Sequence, residues 1–275
     1  MKNCIFTILI VLFYQNLSSQ TISGHILNFE NNCIKNARVI NLNKKLFSYS
    51  DNKGKFIIYY EKGDSLRISH LNYENFNFIY NGNDTIKLKN KTIQLNEVVI
   101  SSSKKVIKKI KNKKYDSWYA LSSSSEYAFK LGSEKFKKYN INDISIPIKK
   151  KINTEDFRAL MFQVYNYNNI TKSIGKPISE VITIKSEELD KIIKLKFNEP
   201  IQVDTGYFYL VISNSIQNSN SKISHKSINP YFAIKKGNDK NTFLLRNFVS
   251  ETWYDSMEYN YPYAPILKCE IEIEI

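Results

Sequence analysis

Cysteine, histidine, glycine and arginine are all scarce in this 275-residue chain, and each shortage closes off a class of function. The cysteines, Cys4, Cys33 and Cys269, form no CxxC pair, so dithiol redox chemistry has no motif to work from. An oxidising compartment would allow Cys33 and Cys269 to pair. They fall in different predicted domains, however, and two free thiols are the expected state. His25 is followed by Ile-Leu-Asn, His70 by Leu-Asn-Tyr and His225 by Lys-Ser-Ile, so neither HxxE nor HExxH occurs. Zinc hydrolysis needs converging histidines and a carboxylate, and the chain is read as having no metal site and no cofactor. The 8 glycines are scattered singly, which removes the glycine-rich loops that cradle phosphate. No G-x-S-x-G is present either. No catalytic residue is therefore assigned. Glu187, Glu188 and Asp190 read as a solvated turn, although two carboxylates contributed by distant strands would escape a motif search.

Long apolar runs are missing as well. The run from Ile5 to Tyr14 is shorter than the roughly 20 residues that span a bilayer. With Lys2 before it and Leu17-Ser18-Ser19 after it, residues 1–20 read as a signal peptide cleaved near Gln20. Cys4 precedes the apolar run, so it is not placed for lipoprotein attachment. The expected location is outside the cytoplasm, periplasmic or associated with an outer membrane.

What the chain has in excess is lysine and β-pattern. The formal charge is +14, with arginine only at Arg38, Arg67, Arg158 and Arg246. Lys104, Lys105, Lys108, Lys109, Lys111, Lys113 and Lys114 crowd together after Ser101-Ser102-Ser103. Two readings fit: a solvated linker over 101–117, or a peripheral contact with an anionic membrane surface. Nucleic acid is not an expected partner, because no binding motif accompanies the lysines.

Residues 21–100 alternate in short strands. Ile22, Gly24 and Ile26 open the series, and Ala37, Val39 and Asn41 follow. Asp51-Asn52-Lys53-Gly54 carries hairpin chemistry, and Phe56, Ile58 and Tyr60 then share one face. Leu66 with Ile68, then Tyr73, Phe76 and Phe78, then Ile86 with Leu88 continue the period of two. Val98 and Ile100 close the module. Asn81-Gly82-Asn83-Asp84 reads as a simple turn rather than a calcium loop. Turns about every ten residues predict a sandwich.

Five segments carry a resemblance. Ile22-Ser23-Gly24-His25-Ile26, Ala37-Arg38-Val39, Ser50-Asp51 through Gly54-Lys55-Phe56, Leu66-Arg67-Ile68-Ser69 with Tyr73, and Leu95-Asn96-Glu97-Val98-Val99-Ile100 together resemble the carboxypeptidase regulatory-like domain. This is a prealbumin-like sandwich common in exported proteins of Gram-negative bacteria. The family's Gly-x-Pro turn reads Asn32-Cys33-Ile34 here, and its Gly-Tyr pair reads Asn72-Tyr73. The resemblance implies a non-catalytic scaffold of about 80 residues. The remaining residues are too few for a large outer-membrane barrel.

Residues 118–275 stay β. Ile144–Ile148, Phe157–Tyr167, Val181–Ile184, Ile192–Phe197, Tyr207–Ile212, Tyr231–Ile234, Phe243–Phe248 and Leu267–Ile275 are strand-like, and Asn214–Ser227 reads as a long loop. A jelly roll is expected. Leu131-Gly132-Ser133-Glu134, Phe157-Arg158 with Tyr165-Asn166, Gly175-Lys176-Pro177, and Val203-Asp204 with Gly206-Tyr207-Phe208 resemble the tail behind this module in similar envelope proteins. The tract from Trp253 to Tyr263 is rich in aromatic rings. Trp253, Tyr259, Tyr261 and Tyr263 are the candidate ligand-binding residues, since flat rings with polar handles suit sugars and protein partners. The same rings would equally fill a core.

The expectation is thus an all-β, non-catalytic envelope protein: a scaffold sandwich followed by a domain binding a glycan or an envelope protein. An envelope hydrolase working through carboxylates is the alternative.

Overall fold

A computed structural model describes residues 20–91, 106–111, 117–122, 125–149, 157–216, 221–222, 227–237, 243–247, 252–255, 264–268 and 270–275. The chain is all-β with several discrete sheets, and among the described residues the helix is confined to one 3-10 turn, Ser186–Glu188. The signal segment, Val98 to Ile100, Cys269, His225, Lys104 and Lys105 lie outside the described residues.

The strands, in chain order, begin with β1 (Gln20–Asn28), β2 (Arg38–Asn41), β3 (Leu46–Tyr49), β4 (Lys55–Tyr60), β5 (Ser65–His70), β6 (Tyr73–Ile79) and β7 (Thr85–Leu88). They continue with β8 (Ile107–Lys111), β9 (Ser117–Ser122), β10 (Ser125–Gly132), β11 (Tyr139–Lys149), β12 (Phe157–Asn168), β13 (Ser173–Pro177), β14 (Ile182–Lys185) and β15 (Ile192–Val203). The last are β16 (Tyr207–Ile216), β17 (Ser221–Lys222), β18 (Ser227–Gly237), β19 (Phe243–Asn247), β20 (Tyr254–Asp255), β21 (Ala264–Leu267) and β22 (Glu270–Glu274). Two compact units form. Unit 1 holds residues 20–69, 75–88 and 221–222, and unit 2 holds 70–74 and the rest of the described chain from Lys89 onward.

Unit 1 has a three-stranded sheet, β4-β1-β7, and a five-stranded sheet, β17-β3-β2-β5-β6. On β4, Phe56, Ile58 and Tyr60 are buried while Lys55, Ile57 and Tyr59 face out, as a period of two requires. Phe47, Val39, Leu66 and Ile68 supply the core from the other sheet. A buried amide ties two turns together. Asn41 Nδ2 donates to Asp64 Oδ2 at 2.7 Å, while its Oδ1 accepts from the main chain of Asn43 and Lys44.

The Asp51–Gly54 turn is not a hairpin. Its chemistry is as expected: Asp51 Oδ1 accepts from the amides of Lys53 and Lys55 at 2.8 and 2.9 Å, and Gly54 has φ 73°. But β3 and β4 belong to different sheets, so the turn carries the chain across the core. Gly54 is required twice over, because a Cβ there would lie 2.6 Å from the carbonyl oxygen of Ile26. The stretch Asn214–Ser227 differs from the expected loop as well. β16 runs on to Ile216, and Ser221–Lys222 pairs with Phe47 and Leu46 as the outer strand of the five-stranded sheet.

Unit 2 is built on two seven-stranded sheets. One runs β13-β12-β16-β10-β19-β20, with β14 also on β12. The other runs β21-β18-β11-β22-β8, with β15 on β11 and β9 on β18. Rings from both meet in the core: Tyr119 of β9 packs edge-on against Tyr127 and Phe243, each at 6.3 Å. β10 is buried almost along its whole length, so it lacks the alternation that reveals a strand in sequence. Ile107–Lys111, inside the lysine-rich 101–117, is a strand paired with β22.

Candidate functional site

The first sheet of unit 2 has two faces. Phe129, Leu131, Phe208, Leu210 and Phe162 point into the core. The opposite face presents Lys130, Ala128 and Glu126 from β10, Tyr207, Tyr209, Val211 and Ser213 from β16, Met161, Tyr165 and Tyr167 from β12, and Leu244 and Arg246 from β19. The register sets these side by side, with Ala128 opposite Val211 and Leu244, Tyr165 opposite Tyr209, and Glu126 opposite Arg246.

The middle of this face is apolar. Leu71, Ala128, Met161, Tyr165, Tyr209, Val211 and Leu244 form a buried cluster, flanked by Tyr167, Ile174, Val181 and Trp253. Tyr209 is fully buried, and its hydroxyl has no hydrogen-bond partner among the described residues. Burial raises the ionisation of Tyr209 and of Tyr165 well above the ordinary phenol value.

One end is charged. Arg246 Nε donates to Glu126 Oε2 at 2.9 Å, Nη2 donates to the same oxygen, and Ser213 Oγ donates to Oε1 at 3.2 Å. The guanidinium lies 4.6 Å from the Trp253 ring. Lys91 belongs to this cluster: its ammonium donates to His70 O at 3.3 Å. Burial lowers its pKa to about 8, against the raising influence of Glu126.

The other end is a half-exposed ledge. The Lys130 ammonium sits 4.4 Å from the Tyr167 ring centre and 4.2 Å from that of Tyr207, and the two rings meet edge-on at 5.8 Å. Burial, then the neighbouring Glu134 carboxylate, raise the pKa of Tyr207. A glycine pair builds the turn beside the ledge. Gly132 has φ 107°, a Cβ on it would lie 2.3 Å from Gly206 O, and that oxygen accepts from Ser133 N at 2.9 Å and Tyr139 Oη at 3.0 Å. Leu131-Gly132-Ser133-Glu134 and Gly206-Tyr207, distant in sequence, thus meet at one corner.

The sequence candidates distribute differently. Trp253 is half-buried against the apolar cluster and under Arg246, while Tyr259, Tyr261 and Tyr263 lie outside the described residues. Lys108 and Lys109 are exposed on β8 and Lys111 ends that strand. Lys108 lies 5.5 Å from the Phe136 ring, and Lys109 pairs with Glu272 at 3.5 Å and Glu270 at 3.7 Å. His25 is exposed on β1, and His70 Nδ1 accepts from Asn72 N at 3.1 Å. Asn81 and Asn83 use their side-chain oxygens to accept main-chain N–H groups within the turn. Cys33 is an exposed free thiol.

Two carboxylates do face each other on the second sheet of unit 2. Asp143 of β11 is the cross-strand partner of Glu272 on β22. Lys109 lies opposite Glu272 and Lys196 opposite Asp143, giving a row of cation, acid, acid, cation. Burial and then Glu272 raise the pKa of Asp143. Among the described residues, no group of three or more His, Cys, Asp and Glu side chains is arranged to hold a metal ion. No described helix is long and apolar enough to cross a membrane.

No protein-family model matches this chain, and no curated protein matches it. Lys130, Tyr167 and Tyr207 form a candidate cluster that sequence reasoning missed. Tyr207 stood inside a quoted motif, but nothing local joined it to a lysine and a tyrosine from two other strands.

Proposed function

We propose that this is a non-catalytic, exported cell-envelope protein in which unit 1 is a prealbumin-like scaffold and unit 2 a jelly-roll-like domain that binds a glycan. The observation that carries the reading is the ledge: two half-exposed tyrosine rings flanking one ammonium group. Sugar rings present C–H faces that stack on such aromatics, and their hydroxyls and carboxylates suit phenol and ammonium groups. The lysine favours glycans bearing uronic acids. Export rests on the sequence of residues 1–20, and the scaffold role rests on the five segments that resemble the regulatory-like domain.

Isothermal titration of the mature chain with soluble oligosaccharides, with and without uronic acid residues, tests this. Uronate-containing sugars should bind, and Tyr207→Ala should weaken them about tenfold, the loss of one stacking contact. No heat with either class, from protein that is folded, sinks the reading. Recognition of an envelope protein would then be the remaining binding role.

The Asp143–Glu272 pair favours a second reading, a hydrolase using two facing carboxyl groups, of which Asp143 has its pKa raised by burial. Turnover of a chromogenic glycoside that disappears in Asp143→Asn would establish it. Loss of binding in Tyr207→Ala without turnover in the parent chain would leave the binding role.

A further inference from the structure

Unit 2 leaves few large apolar side chains exposed among its described residues, and most of them share one end. Val106 is 47% exposed, Ile107 61% and Ile170 93%, and Ile275 is exposed beside Val106. Ile192, opposite Pro147, stands at the other end. The crowded end is where the two sheets pass into each other. β10 enters β11 through residues 133–138, β15 enters β16 through 204–206, and Ser133 N and Tyr139 Oη both donate to Gly206 O. In one sheet, Ile107 lies opposite Glu274, and Glu274 opposite Asn140 at the start of β11. In the other, Asn166 lies opposite Phe208, so the tip of the β12–β13 hairpin projects beside the start of β16.

That tip is a formed turn. Asn168 Oδ1 accepts from the amides of Ile170 and Thr171 at 2.9 and 3.1 Å. Ile170 is therefore held out into solvent, with little loop freedom left to lose on binding.

The charges around these side chains are mainly positive. The turns and strand tips carry exposed Lys108, Lys135, Lys137, Lys138 and Lys172. Their carboxylates are Glu134, Asp204 and Glu274, and Asp204 is already paired with Lys138 at 3.7 Å. No ion pair holds Lys135, Lys137 or Lys172 among the described residues. Lys109, further along β8, is instead taken up by Glu270 and Glu272.

A lone convex isoleucine needs a medium that closes around it. A bilayer does so, admitting apolar groups about 5–10 Å into its interface, while anionic headgroups attract lysines set behind them. A strand rises about 3.3 Å per residue, so Tyr167, three residues before Ile170, stands at the headgroup depth where tyrosine concentrates. We propose that this end of unit 2 docks on an anionic lipid bilayer, with Ile170 inserted and Lys135, Lys137 and Lys172 on the headgroups. Val106 and Ile107 form the margin of the contact. The docking does not depend on sugar binding at the ledge.

The test uses the mature chain, residues 20–275, so that the apolar run before it takes no part. It is floated with vesicles of phosphatidylcholine and with vesicles of equimolar phosphatidylcholine and phosphatidylglycerol. Binding to the mixed vesicles alone is expected. Ile170→Glu, at an exposed tip, should weaken it at least about tenfold with circular dichroism unchanged. Lys135→Gln combined with Lys137→Gln should weaken it about 25-fold, about fivefold for each lysine. In Ile170→Trp, the added emission should shift to the blue on the mixed vesicles and be quenched by brominated acyl chains. Absence of binding overturns the proposal, as does equal binding to both vesicles. So does binding that Ile170→Glu leaves intact, or a tryptophan at 170 that lipid-bound bromine does not quench. The same blue shift with an acidic oligosaccharide and no lipid also overturns it, because the occupant would then be a soluble polyanion.

Discussion

Glu126 and Arg246 stand directly opposite each other on β10 and β19, and the arginine donates twice to a single carboxylate oxygen. The carboxylate is buried and the guanidinium nearly so. Removing one member strands the other in a poorly solvated place, at a cost of about 3–5 kcal/mol. Glu126→Gln or Arg246→Met alone should therefore lower stability by that order in urea unfolding. The double variant should recover much of the loss. Additive losses would show that the pair carries no coupling.

Lys91 gives the protein a signed pH dependence. Its folded pKa, about 8, lies below the value of 10.5 expected in the unfolded chain. Between those values the unfolded state binds more protons, so this group adds stability as pH rises from about 8 towards 10.5. Above about pH 10 the buried tyrosines Tyr139, Tyr165 and Tyr209 pull the other way, since their raised pKa values favour unfolding once the free phenol ionises. Stability measured from pH 7.5 to 9.5 should climb in the parent and stay flat in Lys91→Met.

Tyr209 should tolerate the loss of its hydroxyl. A buried polar atom without a partner costs about 1–3 kcal/mol, and Tyr209 Oη is in that position. Tyr209→Phe should leave thermal stability unchanged or raise it. A clear drop would reveal a partner for the phenol.

Asp143 should behave as a charge held at a disadvantage. Its raised pKa means that the folded state disfavours the ionised form beside Glu272. Asp143→Asn should stabilise the protein at pH 7, and the gain should shrink as pH falls through the carboxylate range. Urea midpoints at pH 7 and pH 3.5 check this.

Gly54 has no substitute. With φ 73° and Ile26 O in the way, Gly54→Ala combines a left-handed conformation, costing about 1–2 kcal/mol, with a main-chain collision. A loss of more than about 2 kcal/mol is expected, read from the unfolding midpoint.

Much of the strand pattern was legible, because a half-covered strand must alternate: Phe56, Ile58 and Tyr60 announced β4. Partner choice was not. The Asp51–Gly54 turn has hairpin chemistry, yet local chemistry fixes only the bend and not the sheet the chain enters next. Ser125–Gly132 hid for the opposite reason, since burial on both faces erases alternation. The ledge was illegible because cross-strand register alone brings Lys130, Tyr167 and Tyr207 together. Trp253 could be named from its tract, but its place beneath Arg246 comes from β19.

Lys222 pairs with Leu46, so the outer strand of the five-stranded sheet is supplied by chain that emerges long after the rest of that sheet. A protein made from its amino end must hold that side of β3 uncovered while the intervening residues arrive. During that interval β3 is a sticky margin within reach of other nascent chains. Whatever escorts the newborn polypeptide has to guard that margin until its late-arriving neighbour comes home.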